Sequence, residues 1–301
     1  ATVTGVGFAP DLSLIKMRSG GSSPVTFWDR LRGADKFLLP NGTDAEASGG
    51  TGVFSSFDQN GVSLGSDGFY GYVNSSSGNP YINHFFKRAP GVFDVVCWTG
   101  DGGDAPTTRN HSLGVAPELV LMKRRDGSQD WLGGYFYPSN AIKQISLNVS
   151  NGTYGQVSGS YSTHWTSSVF TPSMCRNSAN TITGNAGANS YVAYLFATKA
   201  GISKVGNYTG TGTTLAIDCG FTTGARFILI KRTNATGDWY VWDTVRGIIA
   251  GNDPYLLLNS TAAEVTSTDY IDPVSTGFEL SSTAPAAINA NGGSFIYLAF
   301  S

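Results

Sequence analysis

The chain contains three copies of one internal pattern, and this repetition restricts its possible folds more than any other feature. Three stretches carry the pattern most clearly: GFAPDLSLIKMR, GVAPELVLMKRR and GFTTGARFILIKR. Their lysines, Lys16, Lys123 and Lys231, place the repeat length at about 108 residues. A repeat of this length can form a small domain, so we divide the 301 residues into three modules.

Each copy contains segments that are typical of short β-strands. The segment L-x-L-x-K is apolar at every second position, and each copy closes on an aromatic-rich strand: PYINHFF, SYVAYLFAT and SFIYLAFS. Only 13% of the residues are charged and 39 are glycine, a composition that favours strands and turns over helices. We therefore predict an all-β fold, a tandem array of three related antiparallel β-sandwich-like modules, with a partly closed barrel as the alternative shape. The predicted module boundaries are residues 1–89, 90–198 and 199–301.

The first module lacks its opening strand. The second and third copies open with GVFDVVCWTGDGG and GISKVGNYTGTGT, whereas the first copy begins at its second strand. A sheet that lacks a strand exposes an edge, which has to be covered or paired. Either upstream sequence has been removed or another chain supplies the strand, and we expect a supplied strand to lie beside Leu12 to Arg18.

One phrase is written twice, as FWDRLRGADKFLLPNGTDAEA and as VWDTVRGIIAGNDPYLLLNSTAAEV. Asp29 and Arg32 lie three positions apart, as neighbours on a turn do, and Asp243 and Arg246 repeat this spacing. The phrase could be a charged clamp for a ligand, but the middle copy reads WLGGYFYPSN and has lost it, which is unusual for a catalytic site. We favour a scaffold in which the arginine pairs with the aspartate. The residues assigned to this structural motif are Lys16, Arg18, Trp28, Asp29, Arg32, Lys231, Trp242, Asp243 and Arg246.

The basic residues that end the alternating strand of each copy also have two interpretations. Lys16 and Arg18 could bind an anionic glycan or a phosphate. Because basic residues recur at this place in all three copies, an internal ion pair with Asp29 or Asp243 fits at least as well.

Aromatic side chains of the middle copy are the candidates for ligand binding, because many glycan-binding proteins stack aromatic rings on sugars. Consecutive residues of a strand face opposite sides, so at least one of three consecutive aromatics should point outward. A tryptophan in STHWTSS lies among small polar residues and is expected to be partly exposed. The candidate ligand-binding residues are Trp131, Tyr135, Phe136, Tyr137 and Trp165.

No catalytic, cofactor or metal motif is recognisable, so we expect a protein that is not an enzyme and binds no cofactor or metal. The three histidines stand outside any known nucleophile or metal-ligand spacing. Glycosidase chemistry needs a second carboxylate, and the sequence brings none to Glu46 or Glu264. Three widely spaced cysteines favour free buried thiols over a disulfide or a zinc site.

Charge and hydropathy exclude two further classes of partner. The net charge is −2 without a basic cluster longer than KRR, so we expect no nucleic-acid binding. The longest apolar runs, such as YVAYLFA, are much shorter than the roughly 20 residues that span a bilayer, so we expect no membrane span and see no signal peptide.

The three copies resemble the repeat domain found in tail-fibre and other adhesion proteins of marine bacteriophages. That repeat follows the pattern G-F-x-P-D-x-x-x-x-K-x-R, W-x-x-x-D-x-x-R-G, L-x-x-N-x-T-x-x-E and S-F-D-x-x-G-F-x-L-G. The resemblance covers nearly all of the chain, although the middle copy departs from it at WLGGYFYPSN. The first copy matches at Gly7, Phe8, Pro10, Asp11, Lys16, Arg18, Asp29, Arg32, Gly33, Asn41, Thr43, Glu46, Phe57, Asp58 and Leu64. The third copy matches at Lys231, Trp239, Asp243, Arg246, Gly247, Asn259, Thr261, Glu264, Gly277, Phe278 and Leu280.

This resemblance implies a structural or adhesion role on a virion, as a tail-fibre or receptor-binding protein that recognises a bacterial surface glycan. The expected partners are further copies of the chain in a homo-oligomer, which could supply the strand missing from the first module, and other virion proteins. The alternatives are a ligand-free protein that decorates a capsid or forms a secreted or cell-surface fibre, and a polysaccharide depolymerase.

Overall fold

A computed structural model describes residues 1–49, 52–66, 71–102, 107–153, 155–156, 161–175 and 185–301. The fold is almost entirely β, with antiparallel sheets, which confirms the predicted all-β class. Helix in these ranges is limited to α1 (Tyr161–His164), a 3-10 turn (Pro172–Met174) and α2 (Ala286–Asn289). None of the helices in the described ranges is long and apolar enough to cross a membrane.

In the described ranges, twenty-four strands fall into three consecutive sets of eight. Module 1 contains β1 (Thr2–Val3), β2 (Leu12–Met17), β3 (Thr26–Asp29), β4 (Lys36–Leu38), β5 (Ala47–Ser48), β6 (Phe54–Asp58), β7 (Gly61–Leu64) and β8 (Tyr81–Phe86). Module 2 contains β9 (Phe93–Thr99), β10 (Arg109–Asn110), β11 (Leu119–Arg124), β12 (Leu132–Tyr137), β13 (Ala141–Ser146), β14 (Gly155–Gln156), β15 (Val169–Phe170) and β16 (Ser190–Phe196). Module 3 contains β17 (Ser203–Thr209), β18 (Leu215–Asp218), β19 (Phe227–Arg232), β20 (Trp239–Asp243), β21 (Leu256–Leu257), β22 (Ile271–Val274), β23 (Gly277–Leu280) and β24 (Ser294–Phe300).

The three repeated lysines occupy the same place in the three modules. Lys16 pairs with Ile82 of β8, and Lys123 pairs with Val192 of β16. Lys231 pairs with Ile296 of β24 in the same way. The sequence repeat is therefore a structural repeat. The lysine-bearing strands β2, β11 and β19 pair in the same register with the closing strands β8, β16 and β24.

The opening strand of a module lies outside its closing strand. The larger sheets run β14-β13-β12-β11-β16-β9 in module 2 and β17-β24-β19-β20-β21 in module 3. In module 1 the order is β5-β4-β3-β2-β8, so β8 is the outermost strand on that side. The expectation that the open edge lies beside Leu12 to Arg18 is wrong, because β3 and β8 pair with β2 on its two sides. Within the described ranges, the open edge belongs to β8.

Each larger sheet is apolar on both faces because it takes part in two cores. In β2, Ile15 faces a module core that also contains Trp28 and Phe54. The neighbouring Leu14 faces a central core, to which all three modules contribute. Leu121 and Leu229, the equivalent residues of modules 2 and 3, belong to the same central core. The modules are therefore joined through one shared hydrophobic interior.

A tryptophan fills the same place in each module core, although it comes from different parts of the sequence. Trp28 and Trp242 occupy it from β3 and β20, where each precedes the repeated aspartate. Module 2 has Gly134 at the corresponding position, and the ring of Trp165 packs over it. A Cβ atom on Gly134 would lie 3.0 Å from that ring, so the glycine makes room for the tryptophan.

Candidate functional site

The three repeated lysines lie at the contacts between modules. Lys123 Nζ donates to Thr43 O of module 1 at 2.9 Å and to Gln129 O at 2.7 Å. Lys231 Nζ reaches Ser150 O of module 2 at 2.8 Å, and Lys16 Nζ reaches Thr261 O of module 3 at 3.2 Å. The contacts run from module 2 to 1, from 3 to 2 and from 1 to 3, which closes a ring. Burial lowers the pKa of each of these lysines to about 8.

A buried polar cluster joins modules 1 and 2. Asp29 and Arg32 form an ion pair, and Arg32 also bonds to Glu46 at 3.0 Å. From module 2, Arg125 holds Glu46 with two hydrogen bonds of 2.9 and 3.0 Å. The hydroxyl of Tyr194 donates to Asp29 at 2.8 Å. Two acids and two arginines, all at least partly buried, therefore neutralise one another across the module contact.

The same cluster joins modules 3 and 1. Arg246 bonds to Asp243 at 2.5 Å and to Glu264 at 3.2 Å, while Arg18 bonds to Glu264 at 2.9 Å. His84 takes the place of the tyrosine, with Nε2 2.9 Å from Asp243. The twice-written phrase thus supplies one side of a module contact, as the scaffold interpretation requires.

The contact between modules 2 and 3 lacks the charged cluster on both sides. Tyr135 stands where the other modules have the aspartate, and its closing-strand counterpart in module 3 is Leu298. Thr153 replaces the glutamate and Thr233 the second arginine, and their backbones keep the hydrogen bond, at 2.7 Å. The differences in the middle copy are therefore matched by differences in module 3, at the residues that the middle copy contacts.

The basic strand ends do not form the ion pairs that the sequence suggested. The lysines bind backbone carbonyl oxygens, and Arg18 and Arg125 pair with glutamates rather than with Asp29 or Asp243. The reason is the register, because β3 and β20 end on the aspartates inside the ring, where the basic residue that bonds to them is the arginine three positions later in the same module rather than a strand-end lysine or arginine.

Three of the five aromatic residues suggested as ligand contacts lie in cores. Trp131 and Trp165 are fully buried, and Tyr135 is buried in the central core. Trp131 Nε1 donates to Leu39 O of module 1 at 2.8 Å, as Trp239 Nε1 does to Ser146 O of module 2 at 3.0 Å. The Trp131 and Trp239 side chains are therefore buried at the contacts between modules and face no solvent.

The other two aromatics are partly exposed at the end of β12. Phe136 contacts the Tyr161 ring at 4.5 Å between centroids. The ammonium of Lys143 lies 3.5 Å from the centroid of Tyr137, a cation–π contact. Among the five candidates, these two remain available at the surface.

A groove of about 440 Å³ runs along the open edge of β8, between modules 1 and 3. Its size lies in the range of ligand pockets. Six phenylalanines from all three modules lie along it: Phe8, Phe85, Phe86, Phe93, Phe227 and Phe300. Its rim carries two exposed apolar side chains, Ile202 (47% exposed) and Val245 (78% exposed). We call this cavity the β8 groove.

His84 and Asp243 are the titratable pair that lines the β8 groove. Burial lowers the pKa of His84, and its hydrogen bond to the Asp243 carboxylate opposes this only in part. Burial would raise the pKa of Asp243, but hydrogen bonds from His84 and the charge of Arg246 hold that pKa well below its usual range. The groove thus offers apolar area, one fixed carboxylate, an imidazole that prefers to stay neutral, and the basic side chains of Lys87 and Arg226.

Sequence reasoning missed this groove because its residues come from seven separate segments. The absence of an opening strand in the first copy was the available signal, but it did not identify which strand bears the edge. Among the described residues no group of three or more His, Cys, Asp or Glu side chains could hold a metal ion. The three cysteines are unpaired, as expected.

Comparison with known proteins gives a match to one family. The family described as Domain of unknown function (DUF7483) matches the chain over residues 1–301. No curated protein and no solved structure matches the chain.

Proposed function

The chain belongs to the DUF7483 family of domains of unknown function, and we propose that it is a non-enzymatic structural and adhesion component of a phage virion. Its three modules would form a rigid support for surface loops that recognise a bacterial surface glycan. The observation that carries the proposal is the closed ring, in which the repeated charged residues are used to join modules. A protein built in this way serves to hold shape, and recognition is left to its loops.

The partly exposed aromatics of module 2 support a sugar contact. Tyr137 offers a ring for stacking, and the adjacent Lys143 ammonium adds a positive charge that suits an acidic sugar. One such contact is weak, so adhesion would depend on many copies acting together.

A cell-binding assay tests this function. We expect the chain displayed in many copies on beads to adhere to host cells, and Tyr137→Ala to reduce adhesion at least ten-fold. A matched surface change, Ile249→Ala in module 3 (56% exposed), should leave adhesion unchanged. Beads that never adhere would favour a ligand-free structural protein, and release of oligosaccharides from host envelopes would favour a depolymerase. Either result would overturn the proposal.

A further inference from the structure

The open edge of β8 has the backbone geometry of a strand acceptor. Arg18 N donates to Pro80 O, which makes these two residues a hydrogen-bonded pair at the end of the β2–β8 ladder. Bonded pairs alternate along antiparallel strands. The backbone groups of Asn83 and Phe85 therefore point away from β2, toward the β8 groove, which both residues line.

Equivalent edges in the other modules are occupied by one strand each. β9 pairs with β16 over seven residue pairs, and β17 pairs with β24 over seven. β9 also faces the preceding module, because the ring of Phe93 lies 5.7 Å from that of Phe86 and Val95 packs in the central core with Phe27. The β8 groove is bounded in the same way by β8 and by the Asp243–Val245 segment of module 3.

The two strands that fill these places share a sequence pattern. Both read Val-x-x-aromatic-Thr-Gly, as VVCWTG and VGNYTG. Val95 and Val205 stand opposite Tyr194 and Leu298, the counterparts of His84. The aromatic residue stacks on the first ring of the closing strand, Trp98 on Tyr191 at 5.2 Å and Tyr208 on Phe295 at 4.8 Å. The residue that corresponds to these two rings in β8 is Tyr81.

Two further observations show that the groove is suited to an apolar strand. The exposed side chain of Val245 lies on its rim, where an incoming strand would cover it. The side-chain oxygen Oδ1 of Asn83 is buried and accepts no hydrogen bond from the described residues. Polar atoms in this situation are normally satisfied by a partner.

We infer that the β8 groove binds an extended peptide segment, which adds to module 1 as an antiparallel strand of the Val-x-x-aromatic-Thr type. β9 and β17 are already paired in their own modules, so the donor is a segment other than these two. The donor valine would lie over His84 and its aromatic ring over Tyr81. Backbone hydrogen bonds to Asn83 and Phe85 would supply affinity, and the two side chains would supply selectivity.

Peptide titration of the purified chain tests this inference. The probes are fluorescent peptides that copy residues 201–210 and residues 91–100, the latter with Ser in place of Cys97, and a scrambled peptide of the same composition. We expect saturable binding of at least one copied sequence, at least ten-fold tighter than the scrambled one. On binding, the amides of Asn83 and Phe85 should become protected from hydrogen exchange, whereas those of Ile82 and His84, which already bond to β2, should not change.

Two matched variants separate groove binding from loss of folding. Val245→Asn alters the groove rim and should weaken binding at least ten-fold. Leu31→Asn alters the corresponding position of module 1, which is also exposed (42%) but lies outside the groove, and should change binding less than two-fold. Equal weakening by both variants, protection elsewhere, or binding no better than that of the scrambled peptide would overturn the inference. Protection of Asn83 by host glycan fragments, with no effect of the peptides, would also overturn it.

The inference goes beyond the proposed adhesion and does not depend on it. Its test uses no cells, so its failure would leave adhesion through Tyr137 standing, and loss of adhesion would leave strand binding standing.

Discussion

At the scale of single residues, the residue type at one position of a module contact matches the residue that lies opposite it in the neighbouring module. Asp29 meets Tyr194 and Asp243 meets His84, whereas Tyr135 has the apolar Leu298 as its counterpart. The pairing of aspartate with arginine could be predicted from their spacing. The pairing of Glu46 with Arg125 could not, because 79 positions separate the two residues and no local pattern reports such a contact. Burial without a partner would leave any of these charges destabilising.

The His84–Asp243 contact predicts how stability depends on pH. Because burial lowers the pKa of His84, the unfolded chain takes up a proton at a higher pH than the folded chain does. The contribution of neutral His84 to the free energy of unfolding is complete above the unfolded pKa of about 6.5 and is lost as the pH falls below it. The loss is about 1.4 kcal/mol for each pH unit across which His84 is protonated in the unfolded chain only. His84→Tyr introduces the hydroxyl that Tyr194 uses and removes the titration.

We therefore expect urea unfolding of the wild-type chain to show a steeper loss of free energy of unfolding between pH 6.5 and 5 than unfolding of His84→Tyr. Titrating groups other than Asp243, whose pKa depends on His84, are common to both proteins and cancel in the comparison. Parallel pH profiles would show that His84 titrates alike in the folded and unfolded chain.

At the scale of secondary-structure elements, the repeat predicted the order and type of strands but not their neighbours. The missing opening strand was recognised, yet it was placed beside β2, because the sequence shows which strands exist and not which strand lies at the edge. The position of Trp165 was also unpredictable. Its polar neighbours suggested exposure, while its ring replaces a tryptophan that the other modules carry on a strand.

The Gly134–Trp165 contact predicts a coupled pair of substitutions. Trp165→Ala should lower the free energy of unfolding by about 3–5 kcal/mol, because it leaves a large cavity in the module core. Gly134→Ala should lower it by about 1–3 kcal/mol, because the new Cβ lies against the ring. In the double variant the Cβ enters the vacated space, so the total loss should be smaller than the sum of the two.

Denaturant unfolding of the four proteins measures this coupling. Gly155→Ala in β14, where a Cβ would make only an ordinary 3.5 Å contact, serves as the control and should change stability by less than about 1 kcal/mol. Strictly additive losses would mean that the two residues do not share the space.

At the scale of the whole molecule, three repeats behave as one body because they share an interior. Residues of every module enter the central core, and the interface lysines, whose carbonyl partners lie in the next module, reinforce it. The sequence predicted three units in tandem. It did not indicate whether they stack in a line or close on themselves, since both arrangements use the same local pattern.

We expect calorimetry to show a single unfolding transition with equal calorimetric and van't Hoff enthalpies. Residues 199–301 alone should fail to give a cooperative transition, because separation exposes central-core residues such as Leu229, Ile296 and Leu298. Three resolved transitions, or a stable isolated module 3, would contradict a shared interior.

The cyclic order of the module contacts also fixes how many repeats one ring can hold. A linear array grows by stacking another unit on its end. Here each module donates its lysine to one neighbour and receives a lysine from the other, so the circle has no vacant end for a fourth member. Relatives of this chain should therefore differ in length through their surface loops, while the count of three stays constant.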